Sequence, residues 1–283
     1  MPSRRACLTT FAAAGLAGCM DNSSGSVTDS PTDTATTTPG TPPRPAVDIE
    51  AAAVQYAYRH IENVDWNAVR TAGGQFVFVT LDATEVEPAP GREAFSLVTA
   101  DERYDPVAIE RRSPVDLDVP GKPYMSQRGD ADPRGWLVFD VPARLDGVPS
   151  LRLDRDDGSR EWGLDPEKAT APPPAWEWAV DAPETVRPDG TFDIVVSVEN
   201  VGDGPGTFRG AVNFSYPLYK PEGFDIQLEP GQSGEARISA RSENADPGSE
   251  LTYDVRTPVD ESEVTVTVEA APTSTESTNY SSP

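Results

Sequence analysis

A clean alternation of apolar and polar positions runs through Phe192-Asp193-Ile194-Val195-Val196-Ser197-Val198-Glu199. Phe192, Ile194, Val196 and Val198 share one face and Val195 takes the other, which is the period of a half-buried strand. The pattern predicts further strands on both sides. Gln75 to Leu81 is aromatic and β-branched throughout and opens after Gly73-Gly74; Ala94 to Thr99, Val107 to Glu110, Trp136 to Val141 and Ser150 to Leu153 follow it. Asp156-Asp157-Gly158-Ser159 has the chemistry of a hairpin turn leading into Glu161-Trp162. Upstream, Val54, Tyr56, Tyr58 and His60 alternate onto one strand face. Helical periodicity is weak, and only Asn63 to Thr71 reads as a short helical turn.

The second half carries seven predicted strands: Ala175 to Val180, Thr191 to Glu199, Gly206 to Phe214, Phe224 to Leu228, Gly234 to Ala240, Leu251 to Arg256 and Glu263 to Glu269. Pro188-Asp189-Gly190, Asn200 to Pro205, Pro230-Gly231 and Asp246-Pro247-Gly248 punctuate them as turns. Short, evenly spaced strands of this kind predict a β-sandwich. Ala169 to Ala175 contains three consecutive prolines and reads as a stiff polyproline linker between two units. The expected fold is therefore all-β, with two immunoglobulin-like sandwiches in tandem over residues 47–168 and 176–270.

Outside these units the pattern changes. Residues 19–46 are rich in Ser, Thr and Pro and have almost nothing apolar to bury, so they read as a disordered stalk. As a flexible coil, such a stalk spans roughly 30 Å. Residues 271–283 have similar composition and read as a disordered, free end. Ahead of the stalk, Ser3-Arg4-Arg5 precedes an apolar run, Ala6 to Ala17, that is too short for a permanent membrane helix. This is the pattern of an export signal over residues 1–18, and Arg4 and Arg5 point to twin-arginine export. Leu16-Ala17-Gly18-Cys19 looks like a lipobox, which makes Cys19 the expected lipidated residue and the membrane the expected anchor.

Charge narrows the partners. The chain holds 23 Lys+Arg against 47 Asp+Glu, a formal charge of −24, and loss of Arg4 and Arg5 with the leader takes it to −26. Such a surface repels phosphate backbones, so no nucleic acid partner is expected. Self-repulsion also opposes a compact fold until molar salt shortens the Debye length to about 3 Å. Lys122, Lys168 and Lys220 are the only lysines. Acidic excess, scarce lysine and a twin-arginine lipobox together resemble the secreted lipoproteins of haloarchaea.

Catalytic chemistry has little to draw on. Cys7 leaves with the signal and Cys19 is committed to the anchor, so no disulfide, thiolate metal site or cysteine nucleophile is expected. His60 is the single histidine, so a Ser-His-Asp triad has only that residue to use. No cofactor and no metal site are expected. Asp116-Leu117-Asp118, Asp130-Ala131-Asp132 and Asp154-Arg155-Asp156-Asp157 have paired carboxylates of the kind that hold calcium, but none has the glycine and terminal glutamate of an EF-hand loop. In so acidic a chain they read as solvated faces. Arg128-Gly129-Asp130 reads as a loop before Asp132-Pro133. Trp176 with Trp178, and Tyr56 with Tyr58, have strand spacing and read as core, with sugar stacking as the alternative. Asn22, Asn213 and Asn279 begin N-glycosylation sequons.

Residues Phe192 to Gly206, including the Asn200-Val201-Gly202-Asp203 turn, and Leu228-Glu229-Pro230-Gly231-Gln232 resemble the cell-adhesion-related immunoglobulin-type domain of bacterial and archaeal surface proteins. Gly135 to Pro142, Leu151-Arg152-Leu153, and Phe95 to Val98 leading to Arg103-Tyr104-Asp105-Pro106 resemble the telokin-like immunoglobulin-type domain of small surface lipoproteins. Both resemblances imply architecture and no catalytic residues. The expected protein is a non-enzymatic, lipid-anchored surface lipoprotein that works in binding, adhesion or envelope organisation, with another surface protein or a glycan as partner. The alternatives are an accessory subunit of a membrane transport or secretion complex and a carbohydrate-binding or hydrolytic surface protein.

Overall fold

The computed structural model describes residues 47–108, 114–125, 132–165, 169–214 and 220–270. The leader, Arg4, Arg5, Cys19, the stalk, Asn22, the Arg128-Gly129-Asp130 tripeptide and the tail with Asn279 lie outside the described residues. The fold is all-β, and its sheets pack as immunoglobulin-like sandwiches.

The chain opens with a long hairpin, β1 (Asp48–Asn63) and β2 (Trp66–Asp82). Next come β3 (Phe95–Val98), β4 (Arg103–Tyr104), β5 (Pro114–Val115), β6 (Arg134–Val141), β7 (Ser150–Arg155) and β8 (Gly158–Gly163). They form two four-stranded sheets, ordered β5-β1-β2-β6 and β4-β3-β7-β8. Val77, Val79, Leu81 and Phe139 of the first sheet meet Phe95, Leu97, Leu151 and Leu153 of the second, all essentially buried. The opposite face of the first sheet is also covered. Tyr58, Phe76, Phe78, Trp136 and Val138 form a separate apolar cluster there, with Val107, Leu117 and Val119 over it. Burial on both faces explains why Phe76 to Val79 is apolar without alternation.

The second half contains β9 (Trp176–Asp181), β10 (Thr185–Val186), β11 (Thr191–Asn200), β12 (Gly206–Phe214), β13 (Glu222–Leu228), β14 (Ser233–Arg241), β15 (Glu250–Arg256) and β16 (Glu261–Val268). Sheets β10-β16-β15-β12-β13 and β14-β11-β9 enclose one core. Phe192, Ile194, Val196 and Val198 face it while their neighbours point outward, as the alternation requires. Ile194, Phe208 and Tyr253 are fully buried. Each such side chain contributes about 1.5–3 kcal/mol by leaving water.

Three local readings change. Asn63 to Thr71 is not helical: it forms the hairpin tip and the first turns of pairing in β2, with Tyr58 opposite Arg70 and Ile61 opposite Asn67. Cross-strand bonding to β1 overrides its weak local preference. Val107 to Glu110 is not a strand in its described part, Val107 and Ala108. There the Val107 N–H donates to the Val138 carbonyl (2.8 Å) and its side chain joins the cover over Phe76 and Phe78. Tyr56 and Tyr58 do not share a core. A bulge opposite Ala72 to Gln75 breaks the register between Gln55 and Ala57, so Tyr56 packs on the inter-sheet core and Tyr58 on the outer cluster.

Candidate functional site

Arg59 lies in β1 among apolar and aromatic neighbours, and only 5% of its side chain is exposed. The distal half of the β1–β2 hairpin carries it onto β12 and β13 of the second sandwich. There Nη1 donates to the Gly210 carbonyl (3.2 Å), the Phe224 carbonyl (2.9 Å) and Asp225 Oδ1 (3.2 Å). Nη2 donates to Asp116 Oδ2, which follows β5 in the first sandwich. Arg209 of β12, equally buried, reaches back: its Nη2 donates to Asp118 Oδ1 (2.7 Å), and its Nε stands 3.6 Å from Asp225 Oδ1. Asp118 is held from the other side, its backbone N–H donating to Gln55 Oε1 (3.1 Å). Two guanidiniums and three carboxylates thus meet between the sandwiches.

Gly223 makes this approach possible. A Cβ there would stand 2.4–2.6 Å from three atoms of the Arg59 guanidinium. Burial pushes the Asp225 carboxyl above its ordinary value, and Asp116 and Asp118 push the same way, while Arg59 and Arg209 pull it down. Two further contacts extend the junction. Asn67 and Asn213 bond each other across it, and Thr71 Oγ1 donates to the Pro258 carbonyl (3.1 Å). Near the hairpin tip, the Arg256 guanidinium lies over the Trp66 ring at 5.4 Å.

The proline-rich connection is fixed at both ends. The Ala169 carbonyl accepts from Leu145 N (2.9 Å) and Gln75 Nε2 (2.8 Å). Pro172 to Ala175 lies against the Asn200–Gly204 turn. Asn200 is fully buried: its Nδ2 donates to the Gly204 carbonyl (2.8 Å), and its Oδ1 accepts from Gly202 N (3.1 Å) and Ala175 N (3.3 Å). The glycines of this turn are therefore needed for close approach, since a Cβ on Gly204 would lie 1.6 Å from the Pro172 carbonyl oxygen.

The other sequence candidates stay apart. Asp116 and Asp118 form ion pairs with Arg59 and Arg209. Asp132 is held by Lys122 (3.0 Å) and the Arg134 N–H, which keep it below the usual carboxylate range. Asp154 is bonded by Ser159, Arg152 and Arg103, which hold it far below that range. No cluster of three metal-ligating side chains occurs among the described residues. His60 pairs in β1 with Ala68 and Pro114, its ring 6.3 Å from that of Tyr58. Trp176 and Trp178 are half-buried and turned inward onto Phe208, at 5.5 and 6.4 Å, and the Trp178 indole N–H donates to Asp260 (2.7 Å). A shallow groove of about 520 Å³ lies over β9, β11 and β14, lined by Glu177, Glu199, Glu235, Ser197 and Ser233. Asn213 is 1% exposed with both amide atoms engaged, so the fold withdraws it from glycosylation.

Arg59 and Arg209 carry the junction without having been singled out in the sequence. Arg59 gave one signal, a guanidinium inside Tyr56 to Ile61, where His60 is the only other polar side chain besides the tyrosine hydroxyls. Its partners lie 57 and 166 residues away, beyond the reach of any local pattern.

No protein-family profile matches the chain, and no curated protein matches its sequence. Among solved structures, a β-glucosidase from Listeria innocua in complex with gluconolactone aligns over 34% of this chain and 16% of its own, at 15% identity and TM-score 0.28. The β-glucosidase EmGH1 of Erythrobacter marinus aligns over 34% and 15%, at 17% identity and TM-score 0.28. The CARDB domain of a Pyrococcus furiosus protein, solved in complex with di-metal ions, aligns over 35% of this chain and 96% of its own, at 11% identity and TM-score 0.30. The chain thus spans about a sixth of the length of the β-glucosidases it resembles.

Proposed function

We propose that this chain is a non-enzymatic surface lipoprotein, tethered through Cys19, in which two sandwiches act as one stiff unit for binding, adhesion or envelope organisation. The observation that carries the reading is the junction: buried Arg59 and Arg209, the Asn67–Asn213 pair and the docked proline segment all spend polar groups on holding the sandwiches together. The candidate acid, base and metal-binding side chains pair with one another or lie apart. A stiff, acidic unit on a Ser/Thr/Pro stalk suits presenting a face away from a membrane, with another surface protein or a glycan as its partner. Fractionating cells that express the full chain or its Cys19→Ser variant tests the anchor. The wild type should remain with membranes and the variant should be released; equal retention would refute the tether. Crosslinking the anchored chain on intact cells tests the binding role, and a chain that crosslinks to nothing on the surface would refute it.

A further inference from the structure

Three contacts fix the direction in which the sandwiches overlap. Thr71, opposite Ala57 of β1, bonds the Pro258 carbonyl; Arg59 bonds the Gly210 carbonyl; and Asn67, opposite Ile61, bonds Asn213. Pro258 lies just past Arg256, which pairs with Ala211. Progress from Ala57 to Ile61 along β1 therefore matches progress along β12 toward Phe214, and the two strands run the same way. β15 is antiparallel to β12 and β16 to β15, so β16 also runs with β1. At the usual rise of a strand, β1 begins at Asp48 roughly 35 Å behind Arg59, and β16 ends at Val268 roughly 25 Å ahead of it. The two strand ends thus stand at opposite poles of one continuous run of aligned strands.

We propose that this overlap carries tension between the two ends of the chain, with the Arg59 junction as the contact that passes load from one sandwich to the other. A pull between the ends runs along β1, β12 and β16. Backbone hydrogen bonds between antiparallel strands lie across that direction, so those joining β1 to β2 and β16 to β15 are strained together rather than one after another. The junction is loaded in the same way. Its bonds from Thr71, Arg59, Arg209 and Asn67 follow one another along the overlap. Arg59 stands in the pulled strand itself and grips the main chain of β12 and β13, at the Gly210 and Phe224 carbonyls. The proline segment is a lateral connection. Both its ends lie behind Arg59, at Gln75, which bonds the Ala169 carbonyl, and at Gly206, which meets Pro174. It is drawn tight only after the junction gives. A tethered protein pulled by a bound partner would use this property, so that use rests on the surface role proposed above. The property itself is measured without a membrane, and either can fail alone.

Single-molecule force spectroscopy in molar salt tests this on the chain from Cys19 to Pro283, held by the Cys19 thiol and by Pro283→Cys. The otherwise wild-type chain should show no short extension before a sandwich unfolds. Arg59→Met should add a short extension step at lower force. About six Gly/Ser residues inserted between Thr170 and Ala171 should lengthen that step by about 20 Å, which identifies it as the sandwiches parting onto the linker. A second direction of pull leaves the junction residues unchanged. With Cys19→Ser, handles at the exposed Val64→Cys and at Pro283→Cys lift the hairpin from its tip. The junction bonds then break in turn, and the first event should come at a lower force than in the end-to-end pull. A short low-force step in the wild type, an Arg59→Met chain that extends like the wild type, or a first event at the same force in both directions would each overturn the proposal.

Discussion

Asn67 and Asn213 form a reciprocal pair: Asn67 N donates to Asn213 Oδ1 at 2.9 Å, and Asn213 Nδ2 donates to the Asn67 carbonyl at 3.0 Å. A side-chain amide thereby stands where a neighbouring strand's backbone would, and it joins β2 of one sandwich to β12 of the other. Asn213→Asp keeps the shape but replaces the donor with a carboxylate facing a carbonyl. It should destabilise the protein by about 1–3 kcal/mol, the usual range for a buried polar group left unpaired. Urea unfolding checks this. Intact-mass analysis of protein from glycosylating cells should find Asn213 bare.

Two glycines should separate a defect in the Arg59 junction from a defect in docking of the proline segment. Gly223→Ala places a methyl group against the Arg59 guanidinium, which can swing away at the cost of its bonds to Gly210 and Phe224. The sandwiches should remain folded while the Asn67 amide loses protection from hydrogen exchange. Gly204→Ala meets the Pro172 backbone at 1.6 Å, where nothing flexible can yield. That variant should show the larger loss of stability by thermal melting; a Gly223→Ala defect equal to or greater than it would contradict the geometry.

The second sandwich was legible because most of its strands have one wet face, so Phe192 to Val198 shows its period plainly, whereas β12 is buried on both faces. Its seven expected strands all occur, with bounds differing by a residue or two. The first was harder to read because its main sheet is covered on both faces, and a register break places Tyr56 and Tyr58 in different cores. The two-residue strands Arg103–Tyr104, Pro114–Val115 and Thr185–Val186 are too short to carry any period. The junction was not legible at all. Asp116 and Asp118 have the spacing of solvated acidic residues, and only the fold brings Arg59 and Arg209 to them.

Tyr253 is fully buried between Phe192 and Phe214, with ring centroids at 5.8 and 5.4 Å, and its hydroxyl has no hydrogen-bond partner. Burial pushes its phenol up to about 12. Tyr253→Phe removes the unpaired group and keeps the ring, so the thermal midpoint should hold or rise. A clear fall would mean that the hydroxyl is satisfied in solution. In the wild type, the raised phenol favours the fold below the ordinary tyrosine value, and that contribution should be lost as pH climbs from about 10 toward 12.

Salt should decide whether the fold holds. The formal charge of −24 is spread over a chain whose described residues contain no disulfide and no three-ligand metal cluster, and domains of this size have only about 5–15 kcal/mol of net stability. Exposed like charges repel over roughly 30 Å at 0.01 M salt but over about 3 Å at 1 M. The junction ion pairs join buried guanidiniums to part-exposed carboxylates and lose less to screening than the fully exposed repulsion does, so salt should stabilise the folded protein overall. All five tryptophans lie in strands: Trp66 under Arg256, Trp136 over Phe78, Trp162 on the first core, and Trp176 and Trp178 on the second. Their fluorescence and the far-ultraviolet circular dichroism should follow one cooperative transition in molar KCl, with a lower midpoint or an expanded state in dilute buffer. A midpoint unchanged between those conditions would show that repulsion does not limit this fold, and would remove the physical ground for reading the acidic surface as an adaptation to salt.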